Sequence, residues 1–145
     1  MVVPAFMKPP RFLMIPLFWR LLAVVWVLVL WWLSSQSSLP SPAKFEGVDK
    51  LEHAIYFATG GVCFLLGLRL AGFARQPVTA IVLTVLFCAL VGGIDEWHQT
   101  YTPGRSGGDV WDWTADTLGG FVGALLALAG ERFLTSAETT TSAAR

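Results

Sequence analysis

Two stretches hold most of the reactive side chains of this chain: "DKLEH" (Asp49–His53) and "DEWHQTYTPGRSGGDVWDWTAD" (Asp95–Asp116). On a helix, Asp49, His53, Tyr56 and Gly60 share one face, because residues three and four apart are neighbours there. By the same spacing, Gly92, Asp95, Glu96 and Gln99 make a second polar stripe, and Asp109, Asp112, Asp116, Gly119 and Gly123 a third. An imidazole among crowded carboxylates suits acid–base work, so His53 and Glu96 are the candidate catalytic pair. Asp49, Asp95, Gln99, Arg105, Asp112 and Asp116 are the candidate ligand-binding residues.

Arg105 follows the turn signal Pro103-Gly104 and is the only cation of its loop. Two readings stand for it. It is a counter-ion to the carboxylates, or its planar fork holds a phosphate or carboxylate of a ligand. The chain has no G-x-S-x-G motif and no Cys beside a His, so catalysis would run through water or a metal. Asp49 and His53, at i and i+4, would reach one ion, and Glu96 with Asp112 or Asp116 would complete its shell. No HExxH signature accompanies them, and His98 lies off its helix stripe. The sequence itself names no cofactor.

These residues need elements to carry them to one place. The chain is 54% hydrophobic and 14% charged over 145 residues, a composition whose natural solvent is lipid. Its formal net charge of zero gives no basic footprint for nucleic acid. Apolar runs predict four transmembrane helices, at about 15–33, 50–72, 78–97 and 112–133. The fold class expected is therefore all-α, a polytopic membrane protein; the alternating short strands of a membrane barrel are missing. Residues 1–14 read as an irregular cytoplasmic lead, and 134–145 as a disordered tail. The first run is too long for a cleaved signal sequence and no A-x-A site follows it. Cys63 and Cys88 fall within apolar runs and read as buried thiols.

Lys and Arg concentrate on one side: Lys8, Arg11 and Arg20, then Arg69 and Arg75, then Arg132 and Arg145, against Lys44, Lys50 and Arg105 on the other. The positive-inside rule then predicts cytoplasmic termini and an extracytoplasmic polar cluster in the cell membrane. Trp31, Trp32, Trp97, Trp111 and Trp113 would mark the outer interface. Each stripe starts at that boundary and descends about 6–10 Å. Polar groups at such depth are costly unless they face each other or water, so one shared pocket is expected. The Gly119-x-x-x-Gly123 pattern, with Gly120, suits close helix packing.

The ordered set "SSQ" (Ser34–Gln36), "DKLEH" (Asp49–His53), "DEWHQ" (Asp95–Gln99), "PGR" (Pro103–Arg105) and "DWTADTLGG" (Asp112–Gly120) resembles the VanZ-like membrane protein family over about residues 20–130. The resemblance implies a small helical membrane protein. The family's name-giving member is linked to low-level resistance to the glycopeptide teicoplanin. One family position, commonly Asn, is Asp116 here, which offers no amide donor.

Four functions fit this pattern. The first is an enzyme or binding site for a lipid-linked or peptidoglycan-related envelope substrate. The second is a non-catalytic accessory protein that recognises such a molecule, a glycopeptide or a membrane partner. A transporter is the third, disfavoured because the charges sit at one end and no inverted repeat is visible. The last is purely structural: polar residues locking helix ends together.

Overall fold

The computed structural model describes residues 10–38 and 47–142, with side chains as far as Arg132. Four helices follow a short 3-10 turn, Arg11–Met14: α1 Pro16–Ser34, α2 Val48–Arg69, α3 Pro77–Gln99 and α4 Val110–Ser142. There is no strand among the described residues. Pro16 and Pro77 open α1 and α3, where the missing N–H costs nothing and the fixed φ favours the helix. Each helix carries a stretch of 19 to 23 residues long and apolar enough to cross a membrane. At 1.5 Å per residue that is about 28–35 Å, the thickness of a bilayer core. Large apolar side chains face outward along the bundle, among them Leu21, Leu28, Leu86, Leu90, Val122 and Leu126. Such a surface fits lipid and would be anomalous in water.

The described residues begin and end differently from expectation. Residues 11–14 form a 3-10 turn tied back to α1 by the Trp19 indole N–H, which donates to the Leu13 carbonyl at 2.9 Å. Residues 1–9 of the expected lead lie outside the described residues, as do Lys44 and Glu46 in the first loop. The expected irregular tail from 134 is helical to Ser142, and only 143–145 lie outside the description. No Gly or Pro interrupts 131–142, and extending a helix already nucleated is far easier than starting one.

α2 packs most extensively on α4, then α3 on α4 and α1 on α2. Glycines explain the first pairing. A side chain at Gly119 would collide with the backbone oxygen of Ala54, and one at Gly123 with that of Ala58. The two backbones are in direct contact, the small-residue packing of membrane helices. Gly120 instead receives Cys88 of α3, and that thiol is fully buried. At the level of these glycine contacts, Trp26 of α1 and Tyr56 of α2 bond reciprocally. The indole N–H donates to the Tyr56 carbonyl at 3.0 Å, and the Tyr56 hydroxyl donates to the Trp26 carbonyl at 2.8 Å. Since all four helices alternate in direction, the C-terminal ends of α1 and α3 meet the N-terminal ends of α2 and α4.

Candidate functional site

That shared end, the polar end, gathers the predicted residues from α2, α3, α4 and the loop between α3 and α4. The loop is pressed onto α3: a Cβ at Gly107 would lie 2.6 Å from the Gln99 carbonyl carbon and 2.7 Å from the Glu96 backbone carbonyl oxygen. Asp109 then caps α4, its Oδ1 accepting from the Trp111 N–H at 2.7 Å. The same residue's N–H donates to Glu96 Oε2 at 2.8 Å, which fixes the Glu96 carboxylate from the opposite side of the loop.

Two networks divide the cluster. In the first, Asp95 accepts from the Ser34 hydroxyl with one oxygen and from Gln99 Nε2, at 2.8 Å, with the other. Gln99 Oε1 in turn accepts from Arg105 through Nη2 at 2.9 Å and Nε at 3.2 Å. Asp95 and Gln99 are buried and engaged within the protein, so they position Arg105. Arg105 forms an ion pair with no carboxylate among the described residues. Of its two sequence readings, the counter-ion one is not what the geometry gives.

The second network is carboxylate-rich. His53 Nδ1 lies 2.9 Å from Asp116 Oδ1, and Asp116 is 0% exposed. Gly92 makes room for that carboxylate, since a Cβ there would stand 2.6 Å from Asp116 Oδ2. The counter-ion to these carboxylates is Lys50. Its ammonium lies 2.8 Å from Asp49 Oδ2, 2.9 Å from Asp109 Oδ2 and 2.9 Å from Asp112 Oδ1. Lys50 holds the Asp109 carboxyl below the usual carboxylate range, the largest cause being that hydrogen bond.

The ion set expected from spacing is thereby changed. Asp49 turns toward Lys50 and solvent, its side chain 56% exposed, and does not join His53 on one ion. Donor atoms of His53, Glu96 and Asp112 instead lie within 4.8 Å of one another. Asp116 stands behind His53 rather than beside these donors. The residue spacing i,i+4 placed Asp49 and His53 on one side of α2, but adjacent Lys50 offered Asp49 a nearer partner. His98 is also apart: its ring stacks on Trp31 with centroids 3.9 Å apart.

Sequence reasoning passed over Lys50 and Ser34 as functional side chains. A signal existed for Lys50, because a lysine in the first turn of a helix opposes the macrodipole and implies carboxylates nearby. For Ser34 only its place in "SSQ" pointed inward.

A cavity of about 380 Å³ opens beside both networks. Polar residues, among them Glu52, His53, Arg105 and Asp112, and apolar Leu30, Leu33 and Phe57 line it together.

The sequence model of the VanZ/LLP1 family matches residues 11–133. The chain belongs to the VanZ/LLP1 family. No curated protein and no solved structure matches it. The match spans all four membrane-crossing segments and both networks, so the polar end is part of the VanZ/LLP1 domain itself. A multi-pass membrane protein is what the family and the four apolar helices together support.

Proposed function

We propose that the cavity at the polar end faces the extracytoplasmic side and binds or processes an anionic lipid-linked or peptidoglycan-related substrate. The observation that carries this reading is the mixed lining of the cavity, which brings the Arg105 guanidinium together with apolar Leu30, Leu33 and Phe57. An amphiphile presents the matching pair of surfaces. The guanidinium is tethered by neutral Gln99, so its charge is left for an anion, and its fork suits a phosphate. His53 and Glu96 would do acid–base work, with Asp112 and Asp116 shaping their field. Through that substrate the protein would alter susceptibility to teicoplanin, as the family's name-giving member does.

Binding of a polyprenyl phosphate to the protein in nanodiscs tests the reading. Arg105→Ala should weaken it about tenfold or more, in keeping with a lost charge-assisted pair. Unchanged affinity in that variant would sink the proposal. Enzyme and accessory roles separate through His53→Gln and Glu96→Gln. Binding retained with lost teicoplanin phenotype supports catalysis, whereas parallel loss supports recognition alone. A reporter fused after Arg145 checks orientation: a cytoplasmic signal is expected from the Lys and Arg distribution.

A further inference from the structure

We propose that His53, Glu96 and Asp112 form a divalent-cation site in the wall of the cavity, with Asp116 as the group that orients His53. The inference goes beyond the substrate reading and does not require it; with an ion in place His53 and Glu96 serve as ligands rather than as the acid–base pair. Three separate helices each deliver one donor, and these donors lie within 4.8 Å of one another. Bonds of about 2.0–2.2 Å to one ion would place them about 3–3.5 Å apart, so modest side-chain rotation closes the shell.

An acidic cluster alone would not make a site; the state of Glu96 adds the independent observation. This carboxylate is only 4% exposed. Its Oε2 is anchored by the Asp109 N–H, yet its Oε1 is buried without any hydrogen-bond partner. A buried ionised oxygen left unpaired is costly, and an ion beside it removes the cost. His53 supplies a second indication. Its Nδ1 lies 2.9 Å from Asp116 Oδ1, and the tautomer that donates Nδ1–H to that carboxylate keeps Nε2 as a lone-pair donor, the carboxylate–histidine–metal arrangement.

Charge favours the same conclusion. Asp49, Glu52, Asp95, Glu96, Asp109, Asp112 and Asp116 gather at this end against Lys50 and Arg105. Lys50 is the competitor, since its ammonium is 2.9 Å from Asp112 Oδ1. It also binds Asp49 and Asp109, which retain it when Asp112 turns toward an ion. One imidazole and two carboxylates suit a borderline ion of the zinc or manganese type. Three protein ligands leave a coordination position open, and two of the three, His53 and Asp112, line the cavity.

The full-length protein, stripped with chelator in detergent, is titrated with Zn2+ and with Mn2+. One ion per chain and a raised thermal midpoint are expected for the unmutated protein. Glu96→Gln, Asp112→Asn and His53→Gln should each weaken binding about 100-fold or more. Asp116→Ala should lie within the about 10- to 100-fold typical of a group behind a ligand. Asp116→Asn should fall nearer the parent, because an amide oxygen still accepts from Nδ1–H. Lys50→Met should tighten binding about tenfold by removing a like charge. Unmutated protein that takes up neither ion overturns the site, and so does binding that survives in folded Glu96→Gln and Asp112→Asn. Protein that takes up neither ion yet holds a polyprenyl phosphate through Arg105 would refute this inference alone. Full loading with no lipid binding supports it and refutes the substrate reading alone.

Discussion

The two ends of the bundle treat their charges in opposite ways. At the end away from the cavity, Arg69 pairs with Glu131 and also donates from Nη1 to the carbonyls of Ala74 at 3.0 Å and Arg75 at 2.8 Å. Arg20 donates from Nε to the Gly67 carbonyl at 3.1 Å and lies 5.2 Å over the Phe73 ring. Those contacts close loops and helix ends. At the polar end, carboxylates outnumber cations among the described residues, and Glu96 Oε1 and Asp116 Oδ2 are buried there without described hydrogen-bond partners. A purely structural cluster would saturate such groups, as the far end does. The difference separates charges that hold the bundle from charges held ready for something else.

The largest effect should come from the contact on which both ends depend. Gly123→Leu forces a side chain into the Ala58 backbone, which cannot yield as a flexible side chain would. A loss of about 3 kcal/mol is expected, the upper part of the usual overpacking range. Thermal unfolding should then show both ends failing together; loss confined to the polar end would break the comparison. Arg69→Met comes next, at about 2 kcal/mol, below the about 3–5 typical of a fully buried broken pair, since this one is partly exposed. It should lower the melting temperature while leaving polyprenyl phosphate affinity in the surviving folded fraction unchanged.

Ser34→Ala tests the near end with a smaller change. It removes the hydroxyl that donates to Asp95 and should cost about 1–2 kcal/mol. Because Asp95 positions Gln99 and thereby Arg105, lipid affinity should fall too, in contrast to Arg69→Met. Equal effects of these two variants on affinity would remove the distinction between the ends.

The smallest effect is the pH dependence at Asp109. Its carboxyl is held below the ordinary value of 3.8 by Lys50, so the folded state binds that proton less readily than the unfolded chain. The resulting stability is present above the unfolded value and is lost as pH falls through the lowered one. The stability gap between the parent and Asp109→Asn should therefore narrow on acidification below the ordinary value of 3.8. A gap that widened there would show that Lys50 is not the partner of Asp109.

Much of this protein could be read from its residues in order. Four apolar runs of spanning length require four helices, because a backbone in lipid must bond to itself. Helical spacing placed His53, Glu96, Asp112 and Asp116 on faces at one depth, and Gly119 and Gly123 on a packing stripe. Partner choice was not legible, because it depends on distances between helices that share no sequence neighbourhood. Asp49 and His53 share a helix face, yet Lys50 draws Asp49 away. Arg105 sits among acids in sequence, yet bonds to Gln99. Asp116 looked like one more ligand, yet Gly92 admits it behind His53. The sequence determined which groups reach the polar end, through periodicity and the demands of lipid. Only the tertiary structure decided which of them are spent on one another and which are left open, because hydrogen bonds and ion pairs form or fail over about an ångström.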